Sequence, residues 1–125
     1  MSAKYERELR TILEANGFLV IRSAGSFGID LISYKDQQIY LFEQKDSRAD
    51  TLYNSNPRLK AQYDELQKIY FDHQITPIYA IRFIDNTNTS KEKKWRLYTP
   101  NYASFKAPIF RKESGTTLHD WLINR

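Results

Sequence analysis

Two short apolar segments joined by a polar turn place the firmest constraint on how this chain folds. Residues 29–34 and 39–45 are rich in aliphatic and aromatic side chains, and residues 35–38 between them read Lys-Asp-Gln-Gln. Apolar runs bounded by turn residues predict β-strands, and so short a polar connection predicts an antiparallel hairpin. A tight symmetric turn pairs Tyr34 with Ile39, and this register fixes the partner of every other residue in the hairpin.

Three charged side chains interrupt the apolar hairpin, and the predicted register brings them together. The pairing that joins Tyr34 with Ile39 also sets Asp30 opposite Glu43, with Cβ atoms about 4.5–5.5 Å apart. Lys45 follows Glu43 by two residues, and the two-residue period of a strand turns both side chains to one face. Two facing carboxylates among apolar residues repel each other, and a divalent cation between them removes the repulsion.

Two acids and a lysine on one face suit the metal-assisted hydrolysis of a phosphodiester. Mg²⁺ is a hard ion that takes carboxylate oxygens and keeps positions for water and phosphate oxygens. An ammonium beside a metal-bound water helps to orient or deprotonate it and offsets charge on the attacked phosphate. The residues alone leave an alternative open, in which Asp30 caps a strand and Glu43 and Lys45 form a surface ion pair.

The remaining hydrophobic pattern predicts a mixed α/β fold with the order α-β-β-β-α-β-β-α. Apolar residues at helical spacing open the chain, and the helix is expected to stop at Asn16-Gly17. Further strands are predicted at 18–22, 76–84 and 94–98, a second helix from Pro57 through Tyr70, and a closing helix at 118–123. The expected caps are Ser2, Asn56, and Thr116 or Thr117; a polar loop is predicted at 85–92, and 100–115 show no clear pattern.

Composition narrows the classes of protein. The 125 residues are expected to form one domain spanning 1–125. The chain has no cysteine, which excludes disulfides, thiolate metal sites and cysteine catalysis. No apolar run is long enough for a membrane span or leader, so an intracellular, cytoplasmic protein is expected. The net charge of +4 is by itself weak support for a nucleic-acid partner.

Segments along nearly the whole chain match one known family in order and spacing. They are Glu6-Arg7-Glu8-Leu9, Gly17 to Ser26, Asp30-Leu31, Glu43-Gln44-Lys45, Leu52-Tyr53, Leu59 to Tyr70, Pro77 to Arg82, Trp95-Arg96 and Ser114-Gly115. Together they resemble the archaeal Holliday junction resolvases, small homodimeric nucleases of the PD-(D/E)xK, or restriction-endonuclease-like, superfamily. The resemblance implies a mixed central β-sheet flanked by helices. It also implies an endonuclease that resolves four-way DNA junctions by paired, Mg²⁺-dependent phosphodiester hydrolysis.

The resemblance implies a role for each matched residue of the site. Asp30, Glu43 and Lys45 fall on the catalytic motif of the family. Glu6 falls on a glutamate of the first helix that adds an acid to the metal site. The implied metal ligands are therefore Glu6, Asp30 and Glu43, for Mg²⁺ or for Mn²⁺ in its place. Ser26 falls on a loop serine implicated in catalysis.

Basic residues near the matched motifs are candidate contacts to DNA phosphates. Arg7 and Arg22 fall on family positions linked to DNA binding or activity. The full candidate set is Arg7, Arg10, Arg22, Arg48, Arg58 and Lys60, with Lys68 as a further surface lysine. Gln62 could contact a metal-bound water or DNA, and Tyr53 could stack on a base or pack in the core. His73 and His119 lack metal-ligand spacing and receive no role.

Two departures from the family pattern stand out. Ile29 occupies the position of the motif proline, where another apolar strand residue fits. Gln44 stands between Glu43 and Lys45, where an aliphatic residue is usual. Alternation points Gln44 away from the catalytic face, so its effect is expected on packing or hydrogen bonding.

The resemblance implies four-way junction DNA and a second copy of the chain as partners, with no membrane and no small-molecule cofactor beyond the metal. Two other functions stay open. One is another nuclease of the superfamily, of a repair, nicking or restriction type; the other is a catalytically silent DNA-binding protein. Cleavage of junctions beside linear duplex separates these possibilities. The sequence leaves open whether its source is an archaeal cell or a virus.

Overall fold

A central sheet with helices on both faces organises the computed structural model, which describes residues 3–23, 29–53, 57–84, 90–104, 106 and 108–125. The helices are α1 (Ala3–Ala15), α2 (Pro57–His73), α3 (Lys91–Lys94) and α4 (Leu118–Ile123), with a 3₁₀ turn at Lys112–Ser114. The strands are β1 (Leu19–Arg22), β2 (Leu31–Lys35), β3 (Gln38–Ser47), β4 (Thr51–Leu52), β5 (Pro77–Phe83), β6 (Trp95–Tyr98), β7 (Phe110–Arg111) and β8 (Thr116–Thr117). In these ranges no helix is both long and apolar enough to cross a bilayer.

The sheet of the described residues has six strands in the order β1-β2-β3-β5-β6-β8. The neighbours β3 and β5 run parallel, and every other neighbouring pair is antiparallel. A parallel pair needs a crossover, and α2 provides it between β3 and β5. Because all of β5 is buried, the β3–β5 pair forms the centre of the fold. Strands β4 and β7 make a separate antiparallel ladder.

Alternate residues of β3 face two different hydrophobic cores. Phe42 belongs to the core that contains Leu9 of α1, so we call that side of the sheet the α1 face. Leu41 belongs to the core that contains Tyr63 and Leu66 of α2, and we call that side the α2 face. By the two-residue period, Glu43 and Lys45 share the α2 face with Leu41.

The predicted hairpin turn is confirmed. Its two central residues, Asp36 and Gln37, have φ angles of 50° and 68°. Positive φ at both central positions is the conformation of the tight turns whose twist matches that of the flanking strands. The turn sets Tyr34 opposite Ile39, as the sequence predicted.

The hairpin register changes at its open end, where Asp30 lies. The ladder ends with Leu31 opposite Phe42, and Asp30 precedes β2. The backbone N–H of Asp30 donates to the carbonyl oxygen of Phe42 at 2.9 Å. Asp30 and Leu31 thus both pair with Phe42, as in a β-bulge. The prediction that Asp30 extends the ladder as the direct partner of Glu43 is therefore wrong by one residue.

Helix α1 ends where the sequence predicted. Gly17 has a φ of +88°, in the left-handed region that glycine adopts without a Cβ penalty. The N–H of Phe18 donates to Leu13 and that of Gly17 donates to Glu14, both at 3.1 Å. These two bonds form a Schellman cap, which satisfies carbonyls of the last helical turn. The cap turns the chain into β1 and so fixes α1 beside that edge of the sheet.

The short elements are the ones that the sequence pattern missed. They are β4, α3, β7 and β8, each of four residues or fewer. The helix α3 replaces the end of the polar loop predicted at 85–92, of which residues 85–89 lie outside the described ranges. Thr117 caps α4 as expected, since its Oγ1 accepts from the Asp120 N–H at 3.0 Å. The candidate caps Ser2 and Asn56 lie outside the described residues.

Candidate active site

Asp30 is fastened to β3 by both its backbone and its side chain. Its N–H bonds Phe42, and its Oδ2 accepts from the backbone N–H of Gln44 at 2.7 Å. The residue is buried, and burial raises the pKa of its carboxyl. The Gln44 hydrogen bond and the positive charge of Lys45 lower that pKa in part. The carboxylate is therefore held in place beside β3 rather than free to turn into solvent.

Glu43 is the most deeply buried acid of the site. It is 2% exposed, and its Oε1 lies 3.1 Å from Nζ of Lys45. Its Oε2 is buried without a hydrogen-bond partner among the described residues. Burial, and then the nearby charge of Asp30, raise the pKa of Glu43 to about 8. An unpaired buried carboxylate oxygen is costly, so this position calls for a proton or a cation.

Lys45 joins β3 to helix α2. Its ammonium bonds Glu43 on its own strand, and it also donates to Oε1 of Gln62 on α2. Two acceptors on separate elements thus restrict the position of the ammonium. The sequence indicates Gln62 only as a contact to a metal-bound water or DNA, because its contact with Lys45 depends on how α2 lies over the sheet.

Glu6 lies next to this cluster but is bound to an arginine. It is buried on α1, and its Oε1 lies 2.7 Å from Nε of Arg22 on β1. Its negative charge is close enough to Asp30 to raise the pKa of that carboxyl. The structure therefore brings the predicted fourth residue to the site from a separate helix.

Two buried carboxylates of the site are suited to a metal ion. Asp30 and Glu43 offer buried oxygens, one of them unpaired, and such hard donors suit a divalent cation. No group of three acidic, histidine or cysteine side chains in the described ranges is close enough to hold an ion. Glu6, the third predicted ligand, is engaged by Arg22 instead. The residues present thus fit an ion held by two carboxylates with Glu6 alongside.

Part of the predicted basic set gathers around Glu6. Arg7, Arg10 and Arg22 line a small cavity of about 40 Å³ together with Glu6 and Ala3. The other members of the set, Arg48, Arg58 and Lys60, are exposed between the end of β3 and the first turn of α2. Tyr53, in the same part of the chain, is also exposed, which leaves it outside the core. Ser26 lies outside the described residues.

The two departures from the family pattern do not disturb this geometry. Ile29 is buried in the core of the α2 face. The side chain of Gln44 is fully buried, and both of its amide atoms are without hydrogen-bond partners in the part of the chain described. Only its backbone N–H bonds Asp30, so the side chain of Gln44 points away from the catalytic face, as alternation predicted.

Comparisons with known proteins agree with the resemblance read from the sequence. The sequence model of a family described as archaeal Holliday junction resolvase (Hjc) matches residues 2–101. The crossover junction endodeoxyribonuclease Hjc of Methanocaldococcus jannaschii is 47% identical over 84 residues, 65% of this chain and 58% of that protein. The matched region thus spans less than two thirds of that relative.

A solved structure is similar over almost the whole chain. It is that of Archaeoglobus fulgidus Hjc, described as a Holliday junction resolvase from an archaeal hyperthermophile. The TM-score is 0.69 at 17% identity, with 97% of this chain and 99% of the other covered. The likeness confirms the predicted fold class, a restriction-endonuclease-like mixed sheet flanked by helices.

The raised pKa of Glu43 predicts how the stability of the metal-free protein depends on pH. The ordinary pKa is 4.5 and the folded one is about 8, so the folded state keeps a proton that the unfolded state loses. Stability should therefore fall as pH rises from about 5 to about 8. Glu43→Gln removes the charge at nearly constant volume and should be the more stable protein at pH 9, by on the order of 5 kcal/mol at most.

Denaturant unfolding with EDTA at several pH values measures this difference. Glu14→Gln is the matched control, because Glu14 is an exposed acid paired with Arg10 at 3.7 Å. This control should change stability little at any pH. If the free energies of unfolding of the wild type and Glu43→Gln changed equally with pH, the raised pKa of Glu43 would be contradicted.

Proposed function

The chain belongs to the archaeal Holliday junction resolvase family, and on this premise we propose that it is an endonuclease that cuts four-way DNA junctions. The observation that carries the proposal is the buried Glu43 carboxylate, set beside Asp30 and Lys45 with one oxygen unpaired. A protein that only bound DNA would gain nothing from this costly arrangement. Cutting would take place inside the cell on branched DNA and would leave 5′-phosphate and 3′-hydroxyl ends.

Asp30 and Glu43 would hold the divalent ion, Mg²⁺ or Mn²⁺, with Glu6 as the neighbouring acid. Such an ion, when bound, lowers the pKa of a coordinated water and stabilises charge on a phosphate. The chain contributes the fixed position of its own carboxylates. Asp30 is held by the N–H of Gln44 at 2.7 Å, and Glu43 is held within the central strand.

Lys45 acts on the attacking water and on the phosphate. Its side chain is 17% exposed, so the ammonium borders solvent while it stays bonded to Glu43. From there it can orient a water and offset the negative charge that develops on the phosphate. Gln62 is the positioning residue for Lys45, because its Oε1 accepts a hydrogen bond from the Lys45 ammonium. The amide of Gln62 is neutral, so it leaves the positive charge of Lys45 unchanged.

Arg7, Arg10 and Arg22 would contact phosphates close to the cut. They line one cavity beside Glu6, and Arg7 and Arg22 are exposed. Phosphate contacts place a protein on DNA without reading sequence. The protein would therefore recognise the shape and the phosphate backbone of the junction. Phosphates farther from the cut would be contacted by Arg48, Arg58 and Lys60.

Two copies of the chain would act together through an apolar face of β1–β3. We call the apolar sheet face the surface formed by Leu19, Ile21, Tyr34 and Ile39, which are 59%, 53%, 43% and 53% exposed. The register sets Leu19 opposite Tyr34 and Tyr34 opposite Ile39, so these side chains point to one side. Exposed apolar patches of this kind mark protein interfaces. A two-fold dimer would present two sites to a junction that itself has approximate two-fold symmetry.

A cleavage assay tests the proposed activity. In Mg²⁺, the wild type should cut a labelled four-way junction faster than the linear duplex of the same sequence. Asp30→Asn should bind the junction with little change and lose at least about a hundredfold in cleavage rate, because a charged metal ligand is gone. Junctions left uncut would contradict the proposal. Equal cutting of both substrates would favour another nuclease of the superfamily, and binding without cutting would favour a silent DNA-binding protein.

The positioning role of Gln62 has a matched control on the same helix. Gln62→Leu should lower the single-turnover cleavage rate about tenfold or more and leave junction affinity unchanged, because an interaction that orients a catalytic group acts mainly on the chemical step. Gln62→Glu keeps an acceptor for Lys45 and should recover more of the rate than Gln62→Leu, although its added carboxylate offsets part of the Lys45 charge. Gln67→Leu removes structural hydrogen bonds, to the carbonyls of Tyr102 at 2.6 Å and Ser104 at 2.9 Å.

The control Gln67→Leu should therefore lower the midpoint of unfolding and leave the single-turnover cleavage rate close to that of the wild type. If Gln62→Leu loses stability and keeps its rate, the role assigned to Gln62 is structural and the positioning claim is wrong.

The proposed dimer is tested by charges on the apolar sheet face. Ile21→Glu with Ile39→Glu should convert a dimer into a folded monomer, since carboxylates cannot be buried there unpaired. Light scattering after size exclusion gives the mass, and circular dichroism checks the fold. Ile123→Glu on α4 is the control, because Ile123 is 68% exposed and lies outside this face. A wild type that remains a monomer at high concentration would contradict the proposal.

A further inference from the structure

Helices α1 and α3 together form a groove that shares only Arg7 with the DNA contacts proposed above. We call it the basic groove, with a volume of about 280 Å³ and a lining of Lys4, Arg7, Glu8, Thr11, Ile12 and Lys91. The three cationic residues of this lining, Lys4, Arg7 and Lys91, are exposed. The groove is open to solvent, so a segment of nucleic-acid backbone can reach its lining.

The acids around the basic groove are engaged elsewhere. Oε1 of Glu8 lies 2.8 Å from Nε of Arg82 and accepts from Nε1 of Trp95 at 2.9 Å. The Glu8 side chain is only 9% exposed, so its charge is directed into the protein. On α3, Oε2 of Glu92 lies 3.2 Å from Nδ1 of His119. The lining itself therefore presents three exposed cations to solvent and one acid that is turned inward.

The basic groove is continuous with the candidate active site. Arg7 lines both the groove and the small cavity that contains Glu6, Arg10 and Arg22. Residues four apart lie on the same side of a helix, which places Lys4 with Glu8, and Arg7 with Thr11, on the groove side of α1. A cationic surface thus runs from the acids of the site, across Arg7, to Lys91 on α3.

We propose that the basic groove binds the sugar-phosphate backbone of a duplex arm next to the cut strand. The inference rests on the proposed function and adds α3 to its DNA-binding surface. A duplex carries repeated single charges along its backbone, so several exposed cations that begin at the site and continue away from it can each contact a different phosphate. A single bound anion would not need so extended a row.

Salt dependence measures such contacts one by one. The logarithm of the junction-binding constant falls linearly with the logarithm of salt concentration, with a slope near −0.9 for each phosphate contact. Lys91→Gln should therefore make the slope less negative by about 0.9, and Lys4→Gln with Lys91→Gln by about 1.8. Lys91→Arg keeps the charge and should keep the wild-type slope.

Lys106→Gln is the charge-matched control. Lys106 is exposed, and its N–H donates to the side chain of Ser104, whose carbonyl bonds Gln67 of α2. Lys106 belongs to neither α1 nor α3 and is not part of the lining of the basic groove. This variant should leave the slope unchanged. The single-turnover rate of Lys106→Gln at saturating enzyme should also stay at the wild-type value.

Equal slope changes in Lys91→Gln and Lys106→Gln would overturn the inference, because the effect would then be one of net charge. An unchanged slope in Lys91→Gln would overturn it too. These outcomes are distinguishable from a failure of the proposed function, which would show as a wild type that leaves junctions uncut in Mg²⁺. The slope can be measured in EDTA, where cleavage plays no part.

Discussion

The arrangement of the candidate site depends on one carboxylate that is buried in the central strand. Glu43 lies on β3, which pairs with β2 on one side and with the fully buried β5 on the other. Desolvation at 2% exposure raises its pKa to about 8, and one oxygen stays without a partner in the described chain. A group this unfavourable persists only where the surrounding fold over-determines it, which is typical of functional sites.

The groups next to Glu43 are each held in a fixed position by hydrogen bonds. The bulge-like end of β2 lets Asp30 bond the backbone of β3 at Phe42 and at Gln44, so the second carboxylate is fixed to the same strand. Lys45 is tied between Glu43 and Gln62, which joins the strand to α2. The site is therefore built on rigid elements, and precise placement of charge is what electrostatic catalysis requires.

The sequence could predict features that depend on residues close together in the chain. It could not predict contacts that depend on how the helices pack against the sheet. Hairpin register follows from a two-residue turn, so the pairing of Tyr34 with Ile39 was accessible. The one-residue slip at Asp30 was not, since a bulge leaves no signal in alternation. The contact of Gln62 with Lys45 depends on the docking of α2, and α3 is too short to show periodicity. The Glu6–Arg22 pair likewise depends on how α1 lies against β1.

The central claim is that the unpaired carboxylate at Glu43 is a cation site created by the fold, and ion-dependent stability tests it directly. Thermal unfolding at pH 8.5 should be compared in EDTA and in Mg²⁺, at constant ionic strength, for the wild type and for Glu43→Gln. The wild type should gain about 2.7 kcal/mol when the ion is present at a hundred times its dissociation constant. The variant should gain almost nothing. Equal gains in both proteins, or none in the wild type, would contradict the claim.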